Sequence, residues 1–145
     1  INDKFSNKGG VYKVIATRKG DPISITRLLE SDTEGVLYIG KAISFLDRVI
    51  NLKKSTDPEY ESSSHEFGVR YKQHKRLKEI FPYNQLFINL TLSENPLELE
   101  KSELIKYYEK FGELPPLNRQ EWITATNTRY KTFGFNWLFK LSTTH

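Results

Sequence analysis

Residues 95–112 of this chain spell a helix with both of its ends written in. Asn95 can cap the first turn through its side chain, and Pro96 follows where a missing N–H costs nothing. Glu98 lies in the first turn, which the helix dipole makes favourable for an acid. LELEKSELIKYYEKF then runs to Gly112, the residue type that most readily takes the left-handed conformation ending a helix. A helix of this length draws most of its stability from packing its apolar side chains on another element. Three stretches of strand character are available for that role. GVYKVIAT at 10–17 and LFINLTL at 86–92 alternate apolar and polar residues, and VLYI at 36–39 is apolar and aromatic throughout.

The connections between these stretches set the fold class. Arg18-Lys19-Gly20-Asp21-Pro22 is a turn cluster, and within 23–34 ISIT reads as a short strand and LLESDTEG as a loop closing on Gly35. The first two strands then pair antiparallel across this long connection. Ser44 or a neighbour opens a helix, FLDRVINLKK, with Phe45, Leu46, Val49, Ile50 and Leu52 on one side and Arg48 on the opposite flank or its edge. A loop at 55–64, with a polar stretch at its end, precedes a second helical segment at 67–80, which Phe81-Pro82-Tyr83-Asn84 stops. Pro115-Pro116-Leu117-Asn118 is extended. Trp122, Phe133, Phe135, Trp137 and Phe139 suggest a C-terminal extension packing back on the core. The expected fold is α+β, a small, mainly antiparallel three-stranded sheet flanked by helices, in one domain over 1–145.

Composition narrows the chemistry. With 145 residues the chain can bury a single core, and its lack of cysteine excludes disulfides and thiolate nucleophiles or ligands. No apolar run is long enough to cross a bilayer and no signal peptide is visible, so no membrane partner and a cytoplasmic location are the default expectations. A net charge of +4 with a pI near 9.2 permits a polyanionic partner without demanding one.

The most telling stretch is Val36–Ala42, VLYIGKA, where a strand runs into a glycine and a lysine beside a tyrosine. A strand that stops on glycine does so where something approaches its backbone closely. GVY at 10–12 puts a second tyrosine on the partner strand, and Arg48 follows Tyr38 on the next helix. A glutamate-bearing helix comes later, followed by Asn118. This ordered set resembles the GIY-YIG nuclease superfamily, found in nucleotide-excision-repair endonucleases, phage homing endonucleases and some restriction enzymes. The resemblance runs from Gly10 to Asn118, leaving 119–145 as an extension. GVY stands for the first motif half and YIG is intact, with Lys41 after the glycine as in many members. Glu100, with Leu99 before it, Leu104 four residues on and Tyr107 seven on, matches the family's metal-binding glutamate. Glu103 is the runner-up because leucine and isoleucine follow it directly.

The resemblance implies a divalent-metal-dependent endonuclease that hydrolyses DNA phosphodiesters, most simply of double-stranded DNA. Glu100 would hold one Mg²⁺, for which Mn²⁺ can substitute. Arg48 offers a planar, permanently charged donor set for the scissile phosphate, and Lys41 adds a second charge. Tyr12 and Tyr38 share the handling of water and phosphate, with the roles of the two left open. A tyrosine serves as base only if cations pull its pKa down, which this site is expected to do. Gly40 would let a phosphate or backbone come close, and Asn118 closes the motif set. Three departures stand out. The connection between the motif halves is long, with Arg27-Leu28-Leu29-Glu30 as an insertion contacting substrate or core. Leu52 occupies the position one turn after Arg48 where some members carry histidine, so no such histidine base is expected. Asn118 lies farther from Glu100 than in shorter members.

Arg70, Lys72, His74, Lys75, Arg76 and Lys78 form a basic run that can neutralise phosphates along a duplex, or simply face solvent. His65 and His74 read as surface histidines, since neither has a second metal ligand at useful spacing. Two other readings stay open: a nucleic-acid-binding module of the same fold that cuts poorly or not at all, and a nuclease subunit or oligomer targeted by a partner chain.

Overall fold

The computed structural model describes residues 3–61 and 64–119. Its centre is β1, Gly10–Arg18, buried on both faces because each face is covered by a different helical layer. A short helix, α1 (Asp3–Ser6), precedes it. β1 turns into β2 (Asp21–Pro22), and a separate two-stranded hairpin follows, β3 (Ile25–Thr26) with β4 (Ser31–Asp32). β5 (Val36–Ala42) then lies antiparallel along one side of β1, setting Tyr12 opposite Gly40. β6 (Leu86–Leu92) lies antiparallel along the other side, setting Tyr12 opposite Leu90. The sheet therefore has four strands and the hairpin two, where three were expected. The difference lies in two-residue strands, whose pairing depends on the turn that holds them rather than on any alternation.

One face of the sheet is covered by α5 (Pro96–Phe111), whose Leu104, Tyr107 and Phe111 pack on Val11, Val36 and Ile39. Its ends are as expected. The Asn95 side chain accepts from the Glu98 N–H at 3.3 Å, and Gly112 terminates it in the left-handed region at φ 77°. The hydroxyl of Tyr107 donates to Asp32 Oδ2 at 2.9 Å, and the backbone N–H groups of Glu34 and Val36 donate to the same buried carboxylate. The Arg27-Leu28-Leu29-Glu30 insertion folds onto the C-terminal end of α5. Arg27 reaches the Leu114 carbonyl at 2.6 Å and Glu113 at 3.2 Å, and Leu29 N–H donates to the Phe111 carbonyl.

The other face carries α2 (Phe45–Thr56) and α3 (Glu66–Gln73), which meet through Phe45, Leu52, Phe67 and Tyr71 over Tyr12, Val14 and Leu37. Gly68 allows the close crossing, because a Cβ there would lie 2.3 Å from that of Ser55. α2 opens on Ser44 as expected, but its buried stripe runs through Phe45, half-buried Arg48 and Val49, Leu52 and Ser55. Leu46 and Ile50, expected on that stripe, are 38% and 42% exposed, and Arg48 lies on the stripe rather than opposite it. The expected helix over 67–80 is broken at His74, where the backbone is extended, into α3 and α4 (Lys75–Ile80). Continued unbroken past Phe67 and Tyr71, it would turn His74 and Lys75 into the core. The break keeps both at the surface and brings Leu77 in instead.

Among the described residues no helix is long and apolar enough to cross a membrane. Trp122, Phe133, Phe135, Trp137 and Phe139, the expected extension, lie outside the described residues, as do residues 62–63 of the polar loop.

Candidate active site

Tyr12 and Tyr38 come from the antiparallel strands β1 and β5 and stand with ring centroids 6.0 Å apart on the face covered by α2 and α3. Gly40 makes this possible, though for a reason other than the expected one. A Cβ at Gly40 would lie 2.5 Å from the Tyr12 hydroxyl oxygen and 2.7 Å from the Tyr38 ring. The group approaching the strand end is the partner tyrosine itself, which crosses over the glycine directly opposite it.

A residue read from the sequence as a surface histidine completes this cluster. His65 is 4% exposed, its Nε2 is 2.7 Å from the Tyr12 hydroxyl, and its ring stacks edge-on against both phenols. It caps α3: its Nδ1 accepts from the Phe67 backbone N–H at 3.2 Å, while its own N–H donates to Ser55 Oγ at 3.0 Å. A backbone N–H can only donate, so Nδ1 carries a lone pair and the proton of the neutral ring lies on Nε2. Nε2–H therefore donates to the Tyr12 oxygen. Tyr12 and Tyr38 also act on each other, their hydrogen bond raising Tyr12 and lowering Tyr38. Phe67 N–H, His65 and Tyr12 thus form one chain of donors ending on the Tyr12 oxygen, with the Tyr38 ring packed against it. Leu52 does leave the position after Arg48 without a histidine, yet the neighbourhood is not without one, because the start of α3 supplies it. The signal in the sequence was His65-Glu66-Phe67, a side chain able to cap, then an acid, then the first residue of the Phe67/Tyr71 stripe.

The electrostatics overturn one expectation. Burial is the largest influence on both phenols and raises both, Tyr38 to about 12, against the lowering by Arg48. Glu66 and Glu100 push Tyr38 up as well. The cations do not pull either tyrosine down, because both are almost wholly removed from water, at 2% and 8% exposure. The same burial, with Arg48, lowers His65 to about 4, so its ring is neutral near pH 7.

Arg48 acts on Tyr12, Tyr38 and His65 alike, and among the described residues its guanidinium has no ion pair. Glu100 raises both phenols and is clamped at the end of β5, accepting from the Lys41 backbone N–H at 3.1 Å and from Lys41 Nζ at 2.8 Å. Glu103 is engaged elsewhere on α5. It pairs with Lys13 at 2.8 Å and Lys106 at 3.2 Å, and the hydrogen bond from Lys13 lowers its pKa. Asn118 donates to the Ile39 carbonyl at 2.8 Å and accepts from the Ile39 N–H at 2.9 Å, so its side chain imitates a strand along the open edge of β5.

The basic run divides in two. Arg70 holds the Leu117 carbonyl at 2.6 Å and Glu66 at 3.2 Å, and the Lys72 ammonium holds the carbonyls of Lys54 and Tyr60. His74, Lys75, Arg76 and Lys78 are exposed on and beside α4.

The described residues contain no group of three or more His, Asp or Glu side chains placed to hold a metal. A lone carboxylate still suits Mg²⁺, which binds oxygen, keeps several of its waters and takes further oxygens from a phosphate. Glu100, largely shielded and at the same end of the sheet as the phenols, fits that description once Lys41 releases it. Comparison with protein-family models finds no match to this chain, and comparisons with curated proteins and with solved structures find none either.

Proposed function

We propose that this chain is an endonuclease that hydrolyses DNA phosphodiester bonds with a divalent cation, built on the motif order its sequence shares with the GIY-YIG nucleases. One observation carries the reading: a half-buried guanidinium with no ion pair among the described residues and a clamped carboxylate both act electrostatically on the same pair of phenols. Phosphodiester hydrolysis draws on those parts: charge for the phosphate oxygens, a group to orient water, and an oxygen ligand for a cation.

Arg48 takes two phosphate oxygens in its fork. Tyr38 is the more exposed phenol and faces the attacking water; burial keeps it neutral, so it orients that water through its oxygen while the water's proton leaves to solvent. Tyr12 backs it, polarised in turn by His65 Nε2–H, since donors in a chain strengthen one another. Glu100 is the ligand for Mg²⁺ or Mn²⁺, which when bound would supply charge stabilisation to the phosphate. Lys41, once freed from Glu100, adds a second cation beside it. Gly40 keeps Tyr12 in line, and Asn118 keeps the strand that carries Tyr38 straight.

The test is digestion of a defined supercoiled plasmid with added Mg²⁺ or Mn²⁺, followed by sequencing of the ends. Cleavage that Glu100→Gln abolishes with DNA binding retained, and that Glu103→Gln leaves intact, supports the assignment. Loss with Glu103→Gln alone would move the metal ligand one turn along α5. A second reading, a nucleic-acid-binding module that does not cut, draws support from the upward shift of both phenols; intact plasmid with every metal tried would favour it.

A further inference from the structure

Away from the phenol pair, the loop after α2 and the faces of α3 and α4 enclose a cavity of about 480 Å³. That volume lies within the usual range of small-ligand sites. Its floor is the buried ring of Tyr71, and Tyr60 and Tyr83 contribute further aromatic surface. The floor, the Tyr83 side and the Tyr60 backbone are held before any ligand arrives. The Tyr71 hydroxyl donates to the Phe81 carbonyl at 2.6 Å, Tyr83 is hydrogen-bonded to Asp57, and the Lys72 ammonium grips the Tyr60 carbonyl. Lys72 and Lys78 line the cavity, and so does the exposed Glu61, a carboxylate acceptor. The Tyr71 ring is stacked on Phe67 at 5.7 Å, and Phe67 meets Tyr38 at 5.8 Å, so two ring contacts join the cavity floor to the proposed catalytic phenol.

Rigid aromatic surface with cations at its edge is the arrangement that holds a nucleobase by its face and its phosphate by charge. An aliphatic ligand would make no use of the Lys78 charge, and a free phosphate would make none of the rings. We propose that this cavity binds one unpaired nucleotide of the nucleic-acid substrate, its base against Tyr60 and Tyr83 and its phosphate at Lys78. Glu61 favours a base that presents an N–H donor, such as cytosine through its amino group. The inference rests on the nuclease reading for its substrate class and deepens it, since the preferred target becomes a duplex with an unpaired nucleotide near the cut. The ordered Tyr71 floor and Tyr60 backbone lower the cost of binding, because that freedom is already lost.

The experiment uses the full chain without added metal and a fluorescein-labelled single-stranded cytidine tetranucleotide, followed by anisotropy. Tyr60→Ala is expected to weaken binding about tenfold, as the loss of one stacked base implies, while Tyr60→Phe binds as the parent does. Lys78→Ala is expected to weaken binding and reduce its salt dependence by about one released ion. Both side chains reach the surface, so neither change empties a core. Unchanged affinity in Tyr60→Ala and Lys78→Ala, or no binding by the parent chain, overturns the proposal. Plasmid cleavage separates the two readings. Cutting without tetranucleotide binding removes the pocket and leaves the nuclease; binding that depends on Tyr60 and Lys78 without cutting removes the nuclease and leaves the pocket.

Discussion

At the scale of single residues, His65 is where burial, capping and chemistry meet, and its titration should be visible in the stability of the fold. The folded chain holds it near pKa 4 against an ordinary 6.5, through burial first and Arg48 second. Between those values the unfolded chain binds a proton that the folded chain refuses. The stabilisation is therefore complete above about pH 6.5 and is lost as pH falls towards 4, by up to about 3 kcal/mol. Urea unfolding of the parent chain and of His65→Gln at a series of pH values checks this. The glutamine variant, less stable at pH 7, should lose less stability over that window, since it has no ring to charge. Parallel curves would mean that His65 is not held neutral. Gly40 illustrates a different residue-scale constraint, because the space a Cβ would need is taken by the Tyr12 ring opposite and by the Tyr38 ring two residues back in its own strand.

At the scale of elements, the open edge of β5 is finished by side chains and loop backbone rather than by another strand. Leu117 N–H donates to the Leu37 carbonyl at 2.9 Å, and Asn118 pairs in both directions with Ile39. Asn118→Ala should cost about 1–2 kcal/mol, the worth of two partly buried hydrogen bonds, and quicken exchange of the Ile39 amide proton. Asn118→Asp should cost more, since a carboxylate oxygen would then face the Ile39 carbonyl; an unchanged urea midpoint in both variants would refute the edge role. Elements defined by local chemistry were legible in the sequence: α5 from Asn95, Pro96 and Gly112, the start of α2 from Ser44, and the three longer strands from their apolar patterns. What was not legible depends on contacts distant in the chain. The break at His74 follows from which side chains the core can accept, and β2 to β4 are too short to carry a pattern. His65 reaches Tyr12 only because α3 crosses α2 at Gly68. The motif residues Tyr12, Tyr38, Arg48 and Glu100 were legible as a set, but not the direction in which burial moves the phenols.

For the whole molecule, a net charge of +4 is a small excess, so its placement decides what it can do. Read from the sequence, Arg70 and the lysines after it form one basic run. Folded, they belong to two populations with different consequences. Arg70 ties α3 to the Leu117 carbonyl and so to the segment bordering β5, and its charge is already engaged by Glu66. Lys75 and Arg76 stand exposed on α4, beyond the break, where a polyanion can approach them. Replacement of either by alanine should leave the melting temperature of the protein unchanged and lower the slope of log affinity for duplex DNA against log salt by about one. Arg70→Ala should do the reverse, lowering thermal stability by about 1–3 kcal/mol, the usual range for a charged hydrogen bond to a partly buried carbonyl, with little change in salt slope. Melting curves and salt titrations of the three variants check the division. If Arg70→Ala alone changed the salt slope, its guanidinium would leave Leu117 to meet the nucleic acid, and the surface of α4 would be solvated charge. If all three changed it, the run would act as one surface across the break at His74, and DNA would lie along α3 as well as α4.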